Sequence, residues 1–239
     1  MNRRPQSSRI AMVHAVGIGA LLLALLSSFP IVDGGDGVSA LAAQSATRTL
    51  TTEMPAKLGN RAAEPLTEDA RRGLRLDARA GEGGAWWPDV RFGDGTIELD
   101  LRGKDAPQQS FVGVAFHGDD EKGFDAIYFR PFNFRAATDV GRARSVQYAS
   151  HPLHTWDKLR AEHPGRYEAA IVPPPDPNAW FRARIEIAHP SVRVFINDAT
   201  SPVLDVTQLS DRKTGWVGVW VGNNSDGAFA NLRITPATR

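Results

Sequence analysis

From residue 74 onward, apolar residues recur at every second position in short runs, and turn residues cut almost every run. Over 96–102, Ile97, Leu99 and Leu101 alternate with Glu98, Asp100 and Arg102. Phe181, Ala183, Ile185 and Ile187 alternate in the same way with Arg182, Arg184 and Glu186. Successive side chains of a strand point to opposite faces, so this period marks extended segments with one face in a core. Candidate strands fall at 74–79, 85–87, 96–102, 111–117, 125–130, 145–149, 167–172, 180–188, 191–197, 216–222 and 228–235. Many short strands with scarcely any helical period predict an all-β, two-sheet antiparallel β-sandwich of jelly-roll type. One short helix is predicted over 154–161, where Trp156, Leu159 and Arg160 have helical spacing. Pro173, Pro174, Pro175 and Pro177 make a stiff loop before Trp180.

The most informative pair of runs lies between residues 110 and 134. S-F-V-G-V-A-F-H is followed by G-D-D-E-K-G and then F-D-A-I-Y-F-R-P-F-N-F. Two apolar runs around a charged, glycine-bounded turn predict a β-hairpin with a loop longer than two residues. Alternation puts Val112, Val114 and Phe116 on one side and Phe111, Ala115 and His117 on the other. The polar exceptions in these runs, His117, Tyr128 and Arg130, are the first places to look for a ligand.

Several runs together resemble a known superfamily. W-F-R-A-R-I-E-I from Trp180, V-R-V-F-I-N-D from Val192, G-W-V-G-V-W-V-G from Gly215 and F-A-N-L-R-I from Phe229 stand in that order. They resemble the closing strands of concanavalin A-like lectin/glucanase domains, and D-G-T-I-E-L-D-L from Asp94 resembles an early strand of them. The chain is also similar to the 3-keto-disaccharide hydrolase-like branch, a laminin G-like jelly roll exported in bacteria. The resemblance spans roughly residues 74–235. It implies a jelly roll whose concave face often binds sugar chains, and it does not by itself fix an activity.

The N-terminus bears on location. Arg3, Arg4 and Arg9 precede an apolar run over 15–26, and small residues follow at Ala40, Ala42 and Ala43. This is the pattern of a secretory signal, with an uncleaved anchor as the alternative. The expectation is an exported protein, periplasmic or extracellular, with residues 1–43 as signal or anchor. Residues 44–70, rich in Thr, Ala and Ser without a period, read as a poorly ordered linker, and 71–239 as the sandwich domain. Any membrane attachment would be through that anchor. The net charge of +1 gives no electrostatic reason to expect nucleic acid as a partner. With no cysteine, disulfides, thiolate metal sites and cysteine nucleophiles are excluded.

Three groups of residues invite chemistry. Glu98 and Asp100 match the start of the E-x-D-x-x-E or E-x-D-x-E pattern of laminarinase-type members, but Gly103 and Arg102 stand where the last acid should fall. A glycosidase needs two carboxylates across the scissile bond, so the bland reading is a solvated strand face. The second group is Tyr128, Arg130, Asn133, Gln147, Tyr148, His151, Trp156 and Arg160. Flat aromatic faces with planar amide and guanidinium donors suit sugar rings and paired hydroxyls; a single buried aromatic more often serves packing, and it is the cluster that points to a ligand. The third is metal. The histidines show no recognised ligand spacing. No cofactor is expected, with calcium kept open at Asp119, Asp120, Glu121 and Asp125, or near Asn223, Asn224 and Asp226. Trp86 and Trp87 read either as a surface platform or as a buried anchor. The leading functional expectation is a carbohydrate-binding module for a glycan or glycoconjugate. The alternatives are a glycoside-acting enzyme and an envelope protein-interaction domain. Oligomeric state is not legible.

Overall fold

The computed structural model describes residues 46–50, 55, 57–120 and 122–238. The signal or anchor expected over 1–43 lies outside these residues. The strands are β1 (Arg48–Thr49), β2 (Lys57–Gly59), β3 (Ala63–Glu68), β4 (Arg71–Leu76), β5 (Gly83–Phe92), β6 (Gly95–Arg102), β7 (Val112–Gly118) and β8 (Phe124–Phe129). Two short helices follow, α1 (Pro131–Phe134) and α2 (Asp139–Arg142), then β9 (Val146–His151), α3 (Trp156–Glu162) and β10 (Glu168–Ala169). The chain closes with β11 (Phe181–Ala188), β12 (Ser191–Ile196), β13 (Leu204–Thr207), β14 (Gly215–Val221) and β15 (Gly227–Pro236).

These strands form two antiparallel sheets. The eight-stranded sheet runs β13-β12-β11-β6-β15-β4-β3, with β1 also on β15, and the seven-stranded sheet runs β10-β9-β8-β7-β14-β5-β2. The all-β, two-sheet sandwich is as expected. The core is the set of inward alternate residues: Ile97, Leu99 and Leu101 of β6 and Ile185 of β11 face Val112, Val114, Ile127 and Phe129 of the other sheet, all at most 1% exposed. Phe181 joins the layers, its ring 5.1 Å from Phe129 and 5.3 Å from Phe134 of α1. Burying each such side chain contributes about 1.5–3 kcal/mol.

Residues 57–68 correct the linker expectation. They supply two edge strands, β2 on β5 and β3 on β4. Further upstream, β1 pairs with β15 and Leu50 is fully buried. An edge strand with no buried face need not alternate, so β1, β2 and β3 carry no period to read. The expected strand at 167–172 shrinks to β10, and β13 was not expected. Trp86 and Trp87 are both buried, which settles the platform-or-anchor alternative in favour of the anchor.

Between the sheets lies a polar knot. Asp125 of β8 is completely buried. The Tyr148 hydroxyl donates to its Oδ1 at 2.5 Å, and Ser210 Oγ and Arg212 Nη2 donate to its Oδ2 at 2.6 and 3.2 Å. The knot ties the loop after β13 to the seven-stranded sheet. Replacing Asp125 by Ala leaves the phenol and a guanidinium without their acceptor. It should lower the unfolding free energy by about 3 kcal/mol, and Asp125→Asn by less, as measured by urea denaturation.

Candidate functional site

The outward face of the seven-stranded sheet is set by its register. Gly84 of β5 pairs with Trp220, Trp220 with Gly113, Gly113 with Tyr128, Tyr128 with Gln147, and Gln147 with Glu168. Laterally paired residues share a face, so Trp220, Tyr128, Gln147 and Glu168 form one row across the sheet. Gly113 lets two rings meet over it: a Cβ there would fall 2.5 Å from Cβ of Tyr128. The Tyr128 and Trp220 ring centroids are accordingly only 5.0 Å apart. The parallel row beside it is small, made of Gly218, Ala115, Ala126 and Ala149. Rings close over this trough, with Trp86 on Trp216 at 5.3 Å and Phe124 on His151 at 4.6 Å.

Where the rows meet the loops, the face opens into a groove of about 500 Å³. Tyr128, Arg130, Asn133, His151, Trp156 and Arg160, six of the expected ligand residues, line it together. Gln147, a seventh, lies beneath them and is 1% exposed. Its Oε1 accepts from Arg130 Nη2 at 2.6 Å and from the Tyr128 hydroxyl at 3.3 Å. Arg130 Nη2 also reaches the Tyr128 oxygen at 2.9 Å, and its Nη1 donates to the Arg144 carbonyl at 3.0 Å. This hydrogen-bonded trio is the floor of the groove rather than a free surface, with Tyr128 2% and Arg130 5% exposed. Burial pushes the Tyr128 phenol up to about 12, so it stays protonated at neutral pH. Two buried donors on the row, Gln147 Nε2 and Trp220 Nε1, have no partner among the described residues.

Tyr148 must be corrected. It neighbours Gln147 on β9, so strand alternation sends it to the opposite face. Its hydroxyl serves the interior knot and donates to Asp125, and burial together with that carboxylate raises its pKa. His117 is likewise not at the groove. It is fully buried, with Nδ1 accepting from Gln208 Nε2 at 3.1 Å and Nε2 donating to the Gly93 carbonyl at 3.2 Å. Other wall residues were not singled out as ligand candidates: Trp220, Phe111, Phe132 and Arg144 line the groove. The Gly-Trp-Val-Gly-Val-Trp spacing of β14 was the available signal, since it puts Trp216, Gly218 and Trp220 on one face.

Trp156 is the open element. It stands at the first turn of α3, is 49% exposed, and carries the Arg160 guanidinium 5.0 Å above its ring. Arg160 is itself forked onto Glu168, Nε to Oε1 at 3.1 Å and Nη2 to Oε2 at 2.6 Å. The site therefore offers one exposed flat ring, a buried aromatic floor and planar donors.

The other candidates are placed elsewhere. Glu98 and Asp100 lie on the outer face of the eight-stranded sheet. Glu98 pairs with Arg182 at 2.6 Å and Arg233 at 3.5 Å, and Asp100 with Arg71 at 3.4 Å. Of the acids considered for calcium, Asp125 is consumed by the knot. Asp120 Oδ1 caps the hairpin turn by accepting from the backbone N–H of Lys122 and Gly123, and Asp226 pairs with Lys104 at 2.7 Å. Asn223 Oδ1 accepts from the Gly81 N–H. Glu121 lies outside the described residues. Among the described residues, no three His, Asp or Glu side chains gather as a metal-ligand set.

Comparison with known proteins defines the fold class. No family model and no curated protein sequence matches the chain. Solved structures do. One is the carbohydrate-binding module CBM66 from Bacillus subtilis, with 16% identity, a TM-score of 0.55, and coverage of 77% of this chain and 98% of that one. Another is the exoplasmic/lumenal domain of VIP36 in its Ca2+-bound form, with 13% identity, a TM-score of 0.50, and coverage of 80% and 95%. The Ca2+/Man2-bound form of the same domain matches with 13% identity, a TM-score of 0.50, and coverage of 75% and 81%. What the chain shares with these structures is the fold, a sandwich of two antiparallel sheets.

The buried His117 and the largely covered His151, whose side chain is 13% exposed, make stability depend on pH. Burial lowers the pKa of both His117 and His151 from the ordinary 6.5; Glu82 opposes the shift at His151, and the Gly93 carbonyl and Asp125 oppose it at His117. The unfolded chain therefore takes up these protons first as pH falls. Their contribution is fully present above about 6.5 and is lost as pH falls from there towards the folded values. Unfolding free energy should fall between pH 7 and 5, by at most about 1.4 kcal/mol per pH unit for each histidine. The non-titrating His117→Gln variant should show a shallower slope in the same denaturation series.

Proposed function

We propose that this chain is an exported carbohydrate-binding module that holds a glycan segment in the groove over its seven-stranded sheet. The observation that carries the reading is the convergence, in one groove of about 500 Å³, of the exposed Trp156 ring with Asn133, Arg144 and Arg160 above a floor of Trp220, Tyr128 and Arg130. The C–H face of a pyranose or furanose ring packs on an indole, and paired ring hydroxyls match guanidinium and amide donors. A groove of this volume with few, convergent polar groups has the make-up of a ligand site. The similar solved structures include one described as a carbohydrate-binding module and one bound to sugar, which supports the same class of partner. Export rests on the basic and then apolar pattern of the first 43 residues. The reading is one of binding rather than turnover, because Glu98 and Asp100 face away on the other sheet and Glu168, beneath the arginines of the groove, is engaged by them.

Trp156→Ala tests this without endangering the fold, because half of the ring is already in water. On an immobilised-glycan array the native protein should bind a defined subset of glycans. The variant should lose affinity for them by about tenfold or more at unchanged melting temperature. Native protein that binds no glycan on a broad array would overturn the proposal.

A further inference from the structure

The charge of the groove is not balanced. Arg130, Arg144 and Arg160 all line it, and all three converge on one carboxylate. Glu168 lies 2.6 Å from Arg160 Nη2, 3.7 Å from Arg144 Nε and 4.0 Å from Arg130 Nη1. Its side chain is 9% exposed, so it is largely spent on the protein. Among the described residues, no other carboxylate comes within 4.0 Å of any of the three. Three guanidinium groups against one carboxylate leave two positive charges uncompensated on one wall. Among the described residues, the one acid that lines the groove, Glu82, sits by His151 at 3.8 Å and is half exposed. The donors that remain fit the same account. Gln147 Nε2 and Trp220 Nε1 have no partner among the described residues, and Arg144 approaches Glu168 through Nε while its side chain stays 38% exposed.

Resting on the carbohydrate-binding reading, we infer that the ligand is an acidic glycan whose sugar carboxylate docks against the Arg144–Arg160 wall. A planar carboxylate matches the planar guanidinium fork through two parallel hydrogen bonds, and a hydroxyl cannot neutralise the wall at all. The partial exclusion of water strengthens this attraction relative to the open surface. The aromatic floor then fixes the ring, and the arginine wall selects the charge.

The test compares one polymer in two charge states. The full chain is titrated with polygalacturonate and with the same polymer methyl-esterified, each at about 20 and about 300 mM NaCl, a range over which the screening length falls severalfold. Dextran and dextran sulfate serve as further arms. The free acid should bind at least about tenfold tighter than the ester at low salt, and the gap should shrink at high salt. Arg144→Gln and Arg160→Gln should each narrow it by about tenfold, whereas Arg193→Gln, on the other sheet, should leave it unchanged. Equal or tighter binding of the ester would overturn the acidic preference and leave the carbohydrate reading standing. So would binding to neutral dextran alone. Binding of dextran sulfate as tight as that of the free acid would overturn carboxylate recognition in favour of general anion attraction. Failure of the native protein on these polymers together with a blank glycan array would remove both readings.

Discussion

The lateral register of β14, β7, β8 and β9 is the constraint on which the rest depends. It puts Trp220, Gly113, Tyr128 and Gln147 in one line on one face. A slip of one residue in any of these pairings would send the indole or the phenol into the core and bring valine or isoleucine out. The register is protected from both sides. Inward, Val112, Val114, Ile127 and Phe129 fill the space against the second sheet. Outward, glycines and alanines leave room for rings to lie flat on the sheet. The same pairing thus builds a core and a groove at once.

Polar groups on the two faces of this sheet have different tasks. Asp125 and Tyr128 are three residues apart on β8 and point to opposite faces. Asp125 anchors an interior knot with Tyr148, Ser210 and Arg212, in which both carboxylate oxygens are engaged and a long loop is held in place. Tyr128 joins Arg130 and Gln147 in a network that stops short of completion, because an amide N–H and an indole N–H have no partner among the described residues. The first network is spent on holding the fold, and the free donors of the second lie at the floor of a groove, where a ligand can reach them.

The sandwich was legible because its central strands alternate cleanly. Residues 96–102 and 181–188 gave β6 and β11 almost to the residue, since each is wet on one face and dry on the other. β1, β2 and β3 were not legible because edge strands in a polar, proline-containing stretch show no period. Six of the expected site residues meet in one groove because they lie on β8 and β9, which pair, and on the segments that follow each. Tyr148 was misplaced through grouping it with Gln147, although adjacent strand residues cannot share a face. The three-arginine wall could not be read at all. It depends on β10 pairing with β9, which brings Glu168 under Arg130, Arg144 and Arg160 across gaps of 8 to 38 residues.

The central claim is that a glycan occupies the outward face of the seven-stranded sheet. Tryptophan indole N–H resonances, followed by heteronuclear NMR while the tightest-binding glycan is titrated in, report on it most directly. Trp156 and Trp220 line the groove, whereas Trp180 belongs to the other sheet, where its ring lies between Arg71 and Arg102 and its Nε1 donates to Glu68. The Trp156 and Trp220 signals should shift in proportion to occupancy while that of Trp180 stays in place. Movement of Trp180 with Trp156 and Trp220 unchanged at saturation would contradict the account.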